Sequence, residues 1–335
     1  MDLEYRPVSG AALALMREGH NHPDMVATLA EIVSDFGAGG VPPAPENTDG
    51  ETEDIGGLEV THRFVEAPGE SESIRWHFVE AGEGPVLLLM HGIPQSWYMW
   101  QPILAELAKH FRCIAIDLKG YGQSDQGRGD YRHEGVAEQV VALLDVLDID
   151  RFNLFSHDRG TVQADFVAAK HSDRVIRWVR GSQHLIHFHP DLAPQELLFS
   201  DLETRGILQD PVKMFQWGYG RLCKHPIAKP GVVRAIQEFS RPGTGLAVER
   251  YFQSSTFRKD WIDRRWMKKY QELPEMDGGH GARAFYRTFF GSGSFLWKGV
   301  GRRHQGHGIR LSRRHRSHPG SGENIRLQWR ENSSV

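Results

Sequence analysis

From Pro85 onward the chain repeats a pattern that few folds can satisfy: short, uninterrupted apolar runs separated by amphipathic segments of helical period. Val86-Leu87-Leu88-Leu89-Met90, Cys113-Ile114-Ala115-Ile116, Phe152-Asn153-Leu154-Phe155 and Val175-Ile176-Arg177-Trp178-Val179 read as strands buried on both faces. Between them, residues 97 to 110, Glu134 to Leu147 and Val162 to Lys170 read as helices, and Val140, Leu143, Leu144 and Leu147 share one helical face. Strands without polar alternation, joined by helices, predict a mostly parallel sheet covered on both sides.

Two half-buried strands precede this block, one around Val60, His62 and Phe64, the other over Ile74 to Val79. Earlier still, residues 1 to 54 hold one short helix, Met25 to Val33, and a Gly-, Pro- and acid-rich stretch from Gly37 to Asp54, which together read as an N-terminal extension and linker. The core then occupies 55–184. Residues 185–285 are aromatic-rich and helical in pattern, as expected of a helical insertion over the sheet, and 286–335 form an atypical basic segment where the remaining core would stand. At 335 residues there is room for one large domain with such an insertion.

Charge is uneven: residues 1 to 54 carry eleven acids and two bases, whereas 298 to 335 carry nine bases and two acids. Solvated ends explain this without a nucleic-acid partner, and none is expected. The start lacks the basic and apolar regions of a signal peptide, and no apolar run approaches membrane-spanning length, so neither secretion nor a membrane span is expected. Cys113 and Cys223 are too few for a disulfide framework, which fits a cytoplasmic protein.

The chemistry concentrates at Ser156-His157-Asp158-Arg159-Gly160, between a strand and a helix. Small residues two before and two after a central polar one permit the strained strand-turn-helix bend that lifts a nucleophile clear of a sheet. Here that residue is aspartate. A carboxylate is anionic at neutral pH and attacks a saturated carbon bearing a strained oxygen or a halide without a base. The resulting ester then needs water, a histidine base and an oxyanion hole. His91-Gly92-Ile93-Pro94 follows the first buried strand, so the backbone N–H groups of Ile93 and Arg159 are the expected oxyanion hole.

These segments, with Asp117-Leu118-Lys119-Gly120-Tyr121-Gly122-Gln123-Ser124-Asp125 between them, resemble the α/β-hydrolase superfamily, specifically its epoxide hydrolase and haloalkane dehalogenase branch, over roughly residues 58 to 290. The His-Gly-x-Pro loop running into Gln95-Ser96-Trp97-Tyr98-Met99-Trp100 and the His-Asp-Arg-Gly bend are similar to epoxide hydrolases. The resemblance implies an α/β-hydrolase fold with an inserted cap, Asp158 as nucleophile, and cap tyrosines that donate to the epoxide oxygen. Tyr251 and Tyr219 are the candidates, although an aromatic in a lid also serves as plain pocket wall. His91, Gly92, Pro94 and Trp97 are the expected pocket lining around a small-molecule substrate, with no cofactor and no metal.

The sequence departs from the pattern in three places. Haloalkane dehalogenases carry Asn and Trp where Ile93 and Arg159 stand, and haloacid dehalogenases add an Arg where Val162 stands. The family's late acid and histidine have no identifiable counterpart: residues 291 to 335 contain no apolar strand of five, so the last core strands are expected to be missing. His280 lies too early, and His304, His307, His315 and His318 sit in an arginine-rich stretch that repels metal ions. The open alternatives to an epoxide hydrolase are a haloalkane or haloacid dehalogenase and a catalytically impaired binding protein.

Overall fold

The structure, a computed structural model, describes residues 23–37, 40–126, 129, 131–181, 207–223 and 225–255, together with the backbone of 296–299, 310–311 and 327–328. β1 (Thr52–Asp54), β2 (Glu59–Pro68) and β3 (Ser73–Ala81) form an antiparallel meander. β4 (Val86–Met90), β5 (Arg112–Ile116), β6 (Phe152–His157) and β7 (Val175–Gly181) form a parallel block, and β8 (Leu296–Gly299) closes it antiparallel to β7. The sheet order is β1-β2-β3-β5-β4-β6-β7-β8. β9 (Arg310–Leu311) and β10 (Leu327–Gln328) pair separately.

Continuous apolar runs form the central strands because both sheet faces are covered. Leu88 and Met90 of β4 and Ile114 and Ile116 of β5 enter one core; Leu87, Leu89, Cys113 and Ala115 enter the other. α2 (Gln101–Ala108), preceded by a 3-10 turn at Trp97–Trp100, covers the second with Leu104 and Leu107. α3 (His133–Val146) and α4 (Arg159–Lys170) cover the first. After β4 the chain passes to β5 on one side; after β6 it passes to β7 on the other. The carboxyl ends of β4 and β6 therefore border a topological switch point, the place where open α/β sheets form their ligand crevice.

α5 (Pro211–Leu222), α6 (Lys229–Phe239) and α7 (Thr244–Ser255) make up the described part of the helical region. They meet the loops at the carboxyl ends of the strands: Tyr251 donates to the Lys119 carbonyl (2.8 Å), and Gln126 donates to Thr244 Oγ1 (2.9 Å). The rest of 185–285 lies outside the described residues.

The N-terminal helix is longer and better anchored than its sequence suggests. α1 (Pro23–Phe36) buries Met25, Leu29 and Ile32 in the same core that holds Phe215 of α5 and Ile236 of α6. Lys229 bridges Glu31 and Asp35, at 3.1 and 2.8 Å. The following stretch, read as a linker, is also fastened: Ala44 N donates to the Gln237 carbonyl (3.1 Å) and Arg241 to the Pro45 carbonyl (3.0 Å). Its Gly and Pro content gives it irregular shape without freeing it. β8 is the second difference. It pairs with β7 through its backbone, from Arg180↔Leu296 to Arg177↔Gly299, which requires no apolar run.

Leu29→Ala removes a buried side chain at the contact between α1 and the helical region, and we expect a loss of about 2–5 kcal/mol in urea unfolding. A loss within about 0.5 kcal/mol, the range of surface substitutions, would show that α1 adds nothing to the fold.

Candidate active site

Two bends meet at the switch point. β6 ends at His157, Asp158 follows with φ 50 and ψ −125, and α4 begins at Arg159. A positive φ at a residue with a side chain is strained and persists only where its surroundings impose it. Here Asp158 N donates to the Gly181 carbonyl (3.2 Å), and Thr161 N donates to the Asp158 carbonyl (2.9 Å). Thr161 Oγ1 donates to the Gly181 carbonyl at 3.0 Å and lies the same distance from Ser156 Oγ. At Gly160 a Cβ would stand 2.3 Å from the His91 carbonyl oxygen, so only glycine lets the new helix pass β4.

The facing bend is the loop after β4. Ile93 N donates to Asp158 Oδ1 at 3.0 Å, and a Cβ on Gly92 would lie 2.2 Å from that of Asp158. Among the described residues Oδ2 has no partner, and the Asp158 side chain caps nothing in α4. One carboxylate oxygen is thus held by an amide while the other is unpartnered among the described residues. The backbone N–H of Arg159 opens the first turn of α4, where amides have no partner within the helix.

The expected site residues divide into two groups. Asp158, Ile93, Gly92 and Arg159 converge. Pro94 is buried beside them, after a cis peptide bond. The Arg159 guanidinium turns away from the solvent, with Nη1 3.2 Å from His133 Nε2 and its centre 4.6 Å from the centroid of Phe252. Tyr219 reaches the same loop, since Gln95 Nε2 donates to its hydroxyl at 3.3 Å, which leaves the phenolic proton to donate elsewhere. Burial pushes its pKa up to about 12. Tyr251 lies deeper, with its proton directed at the Lys119 carbonyl and its ring against His133, Tyr131 and Tyr121.

His91 and Trp97 stand apart from the carboxylate's open side. His91 is fully buried, Nδ1 donating to the Gly92 carbonyl (2.8 Å) and Nε2 accepting from Leu118 N (3.0 Å), so its ring joins two loops. Trp97 belongs to the opposite core with Leu87, Leu89 and Trp100. Two residues absent from the sequence-derived set matter as much. Asp117 accepts from Trp97 N, Gln123 N and His77 Nδ1, at 2.8, 3.0 and 2.6 Å, which fixes both loops beside the bend. Tyr121 lies 5.0 Å, ring centroid to ring centroid, from His91. Its position between two glycines of the Asp117 turn was the available signal. Among the described residues no group of His, Cys, Asp and Glu is placed to hold a metal, and no helix is long and apolar enough to cross a membrane.

Comparison with known proteins places the fold in a class. Residues 85–201 match the family model described as alpha/beta hydrolase fold. Epoxide hydrolase 2 of Caenorhabditis elegans is 37% identical over 122 residues, covering 35% of this chain and 33% of that protein. A haloalkane dehalogenase of Mesorhizobium japonicum is 38% identical over 136 residues, covering 39% and 44%. The crystal structure of Cfl2 from Burkholderia cenocepacia superposes with a TM-score of 0.53 at 26% identity, over 69% of this chain and 78% of that one. The fold is that of an α/β hydrolase. The chain spans less than half the length of these two curated relatives.

Burial of His91 and His157 lowers both pKa values below the ordinary 6.5. The unfolded chain therefore binds more protons than the folded one below 6.5, and stability falls as the pH drops from there. Glu53 adds a later loss: burial opposes its charge, but His62 and Arg234 outweigh this and hold it at about 2, so stability drains as pH falls from 4.5 toward that value. Urea midpoints measured from above pH 6.5 down to 4.5 should decline; a flat profile would refute the neutral, buried imidazoles.

Proposed function

We propose that the chain is a hydrolase of the epoxide hydrolase type, in which Asp158 attacks an electrophilic carbon of a small molecule and forms an alkyl ester. The observation that carries this reading is the Asp158 bend, with Oδ1 on the Ile93 amide at 3.0 Å and Oδ2 unpartnered among the described residues. The carboxylate that attacks becomes the ester carbonyl, and the Ile93 and Arg159 amides then serve as the oxyanion hole when water adds. Tyr219 supplies a protonated phenol for the opening oxygen, and α5 to α7 act as the cap. His91, Gly92 and Pro94 shape the wall behind the nucleophile.

The dehalogenase alternative draws on the Mesorhizobium relative. Against it, Ile93 offers no side-chain donor to a leaving halide. Two free thiols, with Cys113 pushed by burial up to about 12, fit a reducing compartment such as the cytoplasm. The sequence reading assigns no histidine base to activate water at Asp158, and on that reading the ester outlives the step that forms it. A non-catalytic binding role is the reading left if no ester forms at all.

Incubation with styrene oxide, followed by intact-mass analysis and peptide mapping, should give one covalent equivalent on Asp158. Asp158→Asn should abolish it. Gly92→Ala, by displacing the carboxylate, should slow it about 10²-fold. Multiple turnovers with no adduct would refute the missing base, and labelling elsewhere would refute the nucleophile.

A further inference from the structure

Two imidazoles that the proposed reaction does not use join the helical region to the loops beside Asp158. His62 of β2 and His77 of β3 are both 0% exposed and stack with 5.2 Å between ring centroids, His62 Nδ1 lying 2.9 Å from His77 Nε2. Beyond one ring, His77 Nδ1 meets Asp117 Oδ2 at 2.6 Å; beyond the other, His62 Nε2 meets Glu53 Oε2 at 3.2 Å. All four ring nitrogens are thus engaged in three contacts, and each contact is a hydrogen bond only if a proton lies in it.

Those protons can be counted. Neither carboxyl group supplies one. Asp117 also accepts from the amides of Trp97 and Gln123, and Arg234 of α6 donates to both Glu53 oxygens, at 2.7 and 3.1 Å, so each is an ionised acceptor. His77 Nδ1 therefore donates to Asp117, and His62 Nε2 donates to Glu53. The contact between the rings needs a third proton, whereas two neutral imidazoles bring only one each. With two protons, one contact would set two bare acceptors against each other inside the protein, where an unsatisfied polar atom costs most.

The surroundings suit a cation. Carboxylates stand at both ends, and Glu51 is close enough to His62 for their charges to interact. The nearest competing cation, Arg234, is divided between Glu53 and Glu238. Trp97 lies perpendicular to His62, 5.6 Å between centroids, and Tyr98, whose phenol burial keeps protonated, lies 5.1 Å from the Arg234 guanidinium. Phe64 packs on His77 and holds Arg75 3.8 Å from its own centroid. His91, which faces Asp117 from the loop after β4, is neutral through burial.

We propose that His62 and His77 hold one imidazolium proton between them, and that this proton is a pH-sensitive latch joining α6, through Glu53 and Arg234, to the Asp117 loop. When the proton leaves, the Glu53 contact yields first. It is the longest of the three, and its carboxylate is 24% exposed, whereas Asp117 is enclosed and held by two amides. Raising the pH therefore frees Glu53, and with it the hold on Arg234.

Nitrogen NMR of the full chain, with histidine rings labelled in 15N, tests the count directly. Coupling across the N–H···N bond identifies the two rings, and at about pH 8, above the ordinary imidazole range, three of their four nitrogens should carry a proton. Two would overturn the assignment. Glu53→Gln offers an amide N–H to His62 Nε2, so two protons satisfy all three contacts and the variant should show two. The folded parent then holds one proton more than its unfolded chain, whose histidines are neutral in this range, and stability must fall as the pH rises. Its folding constant should drop about tenfold per pH unit relative to the variant while the pair keeps its proton; Cys113 and Cys223, present in both, cancel in the comparison. Amide exchange in α6, corrected for its intrinsic pH dependence, should speed up as the parent loses the third proton. Parallel stability profiles, a variant that keeps the third proton, or α6 exchange unchanged through its loss overturns the latch. The parent spectrum decides the proton count even if the variant does not fold.

Discussion

The site depends on the near-contact of two backbone bends, one at Gly92 and one at Asp158 to Gly160. Neither closes without the other: a methyl group at Gly92 would overlap Asp158, and one at Gly160 would overlap the His91 carbonyl. A non-glycine φ of 50 costs of order 1–3 kcal/mol, and it is sustained by a stiff frame. β6 lies between β4 and β7 at the middle of the parallel block, and the Gly181 carbonyl at the end of β7 accepts both Asp158 N and Thr161 Oγ1. Rigidity at the sheet's centre thus becomes directional control of one carboxylate.

A second carboxylate organises what surrounds the first. Asp117 is fully buried, and although burial opposes its charge, His77 and the amides of Trp97 and Gln123 keep its pKa low. From His77 the contacts run outward: His77 Nε2 lies 2.9 Å from His62 Nδ1, His62 Nε2 lies 3.2 Å from Glu53, and Arg234 of α6 donates twice to Glu53, at 2.7 and 3.1 Å. Arg234 and Arg241 also share Glu238. Breaking such a buried series by removing one member costs about 3–5 kcal/mol, because the remaining charges are left without partners. The same series ties the helical region to the loops beside Asp158.

The parts legible in the sequence are those where one physical demand outweighs all others. Val86–Met90 forms a strand with the bounds read from its sequence, because five apolar residues buried on both faces admit little else. The Asp158 bend was visible for a similar reason: small residues around a polar one between strand and helix serve few other purposes. α4 begins at Arg159, three residues before the apolar pattern starts at Val162, since the bend and not hydrophobic periodicity sets that end. Long-range packing was not legible. Nothing in Met25, Leu29 and Ile32 specifies that their partners lie some two hundred residues later, and a Gly- and Pro-rich stretch reads as a linker whether or not Arg241 and Gln237 hold it. Two glycines mark the turn at Tyr121, but nothing in the sequence shows that its ring packs on His91.

Burial keeps the two phenols nearest the Asp158 bend protonated. It leaves Tyr219 at about 12 and Tyr121 well above 10, so each phenol keeps its proton across the pH range in which a carboxylate is ionised. A negative neighbour reinforces this, as Asp158 does for Tyr121. A phenol can therefore keep its proton beside a carboxylate in one low-dielectric space, because the proton stays on whichever oxygen is more basic. That order reverses only when a bond to carbon breaks and places charge on an oxygen more basic than a phenolate. On the proposed reading, such an oxygen arises when an electrophile opens at Asp158.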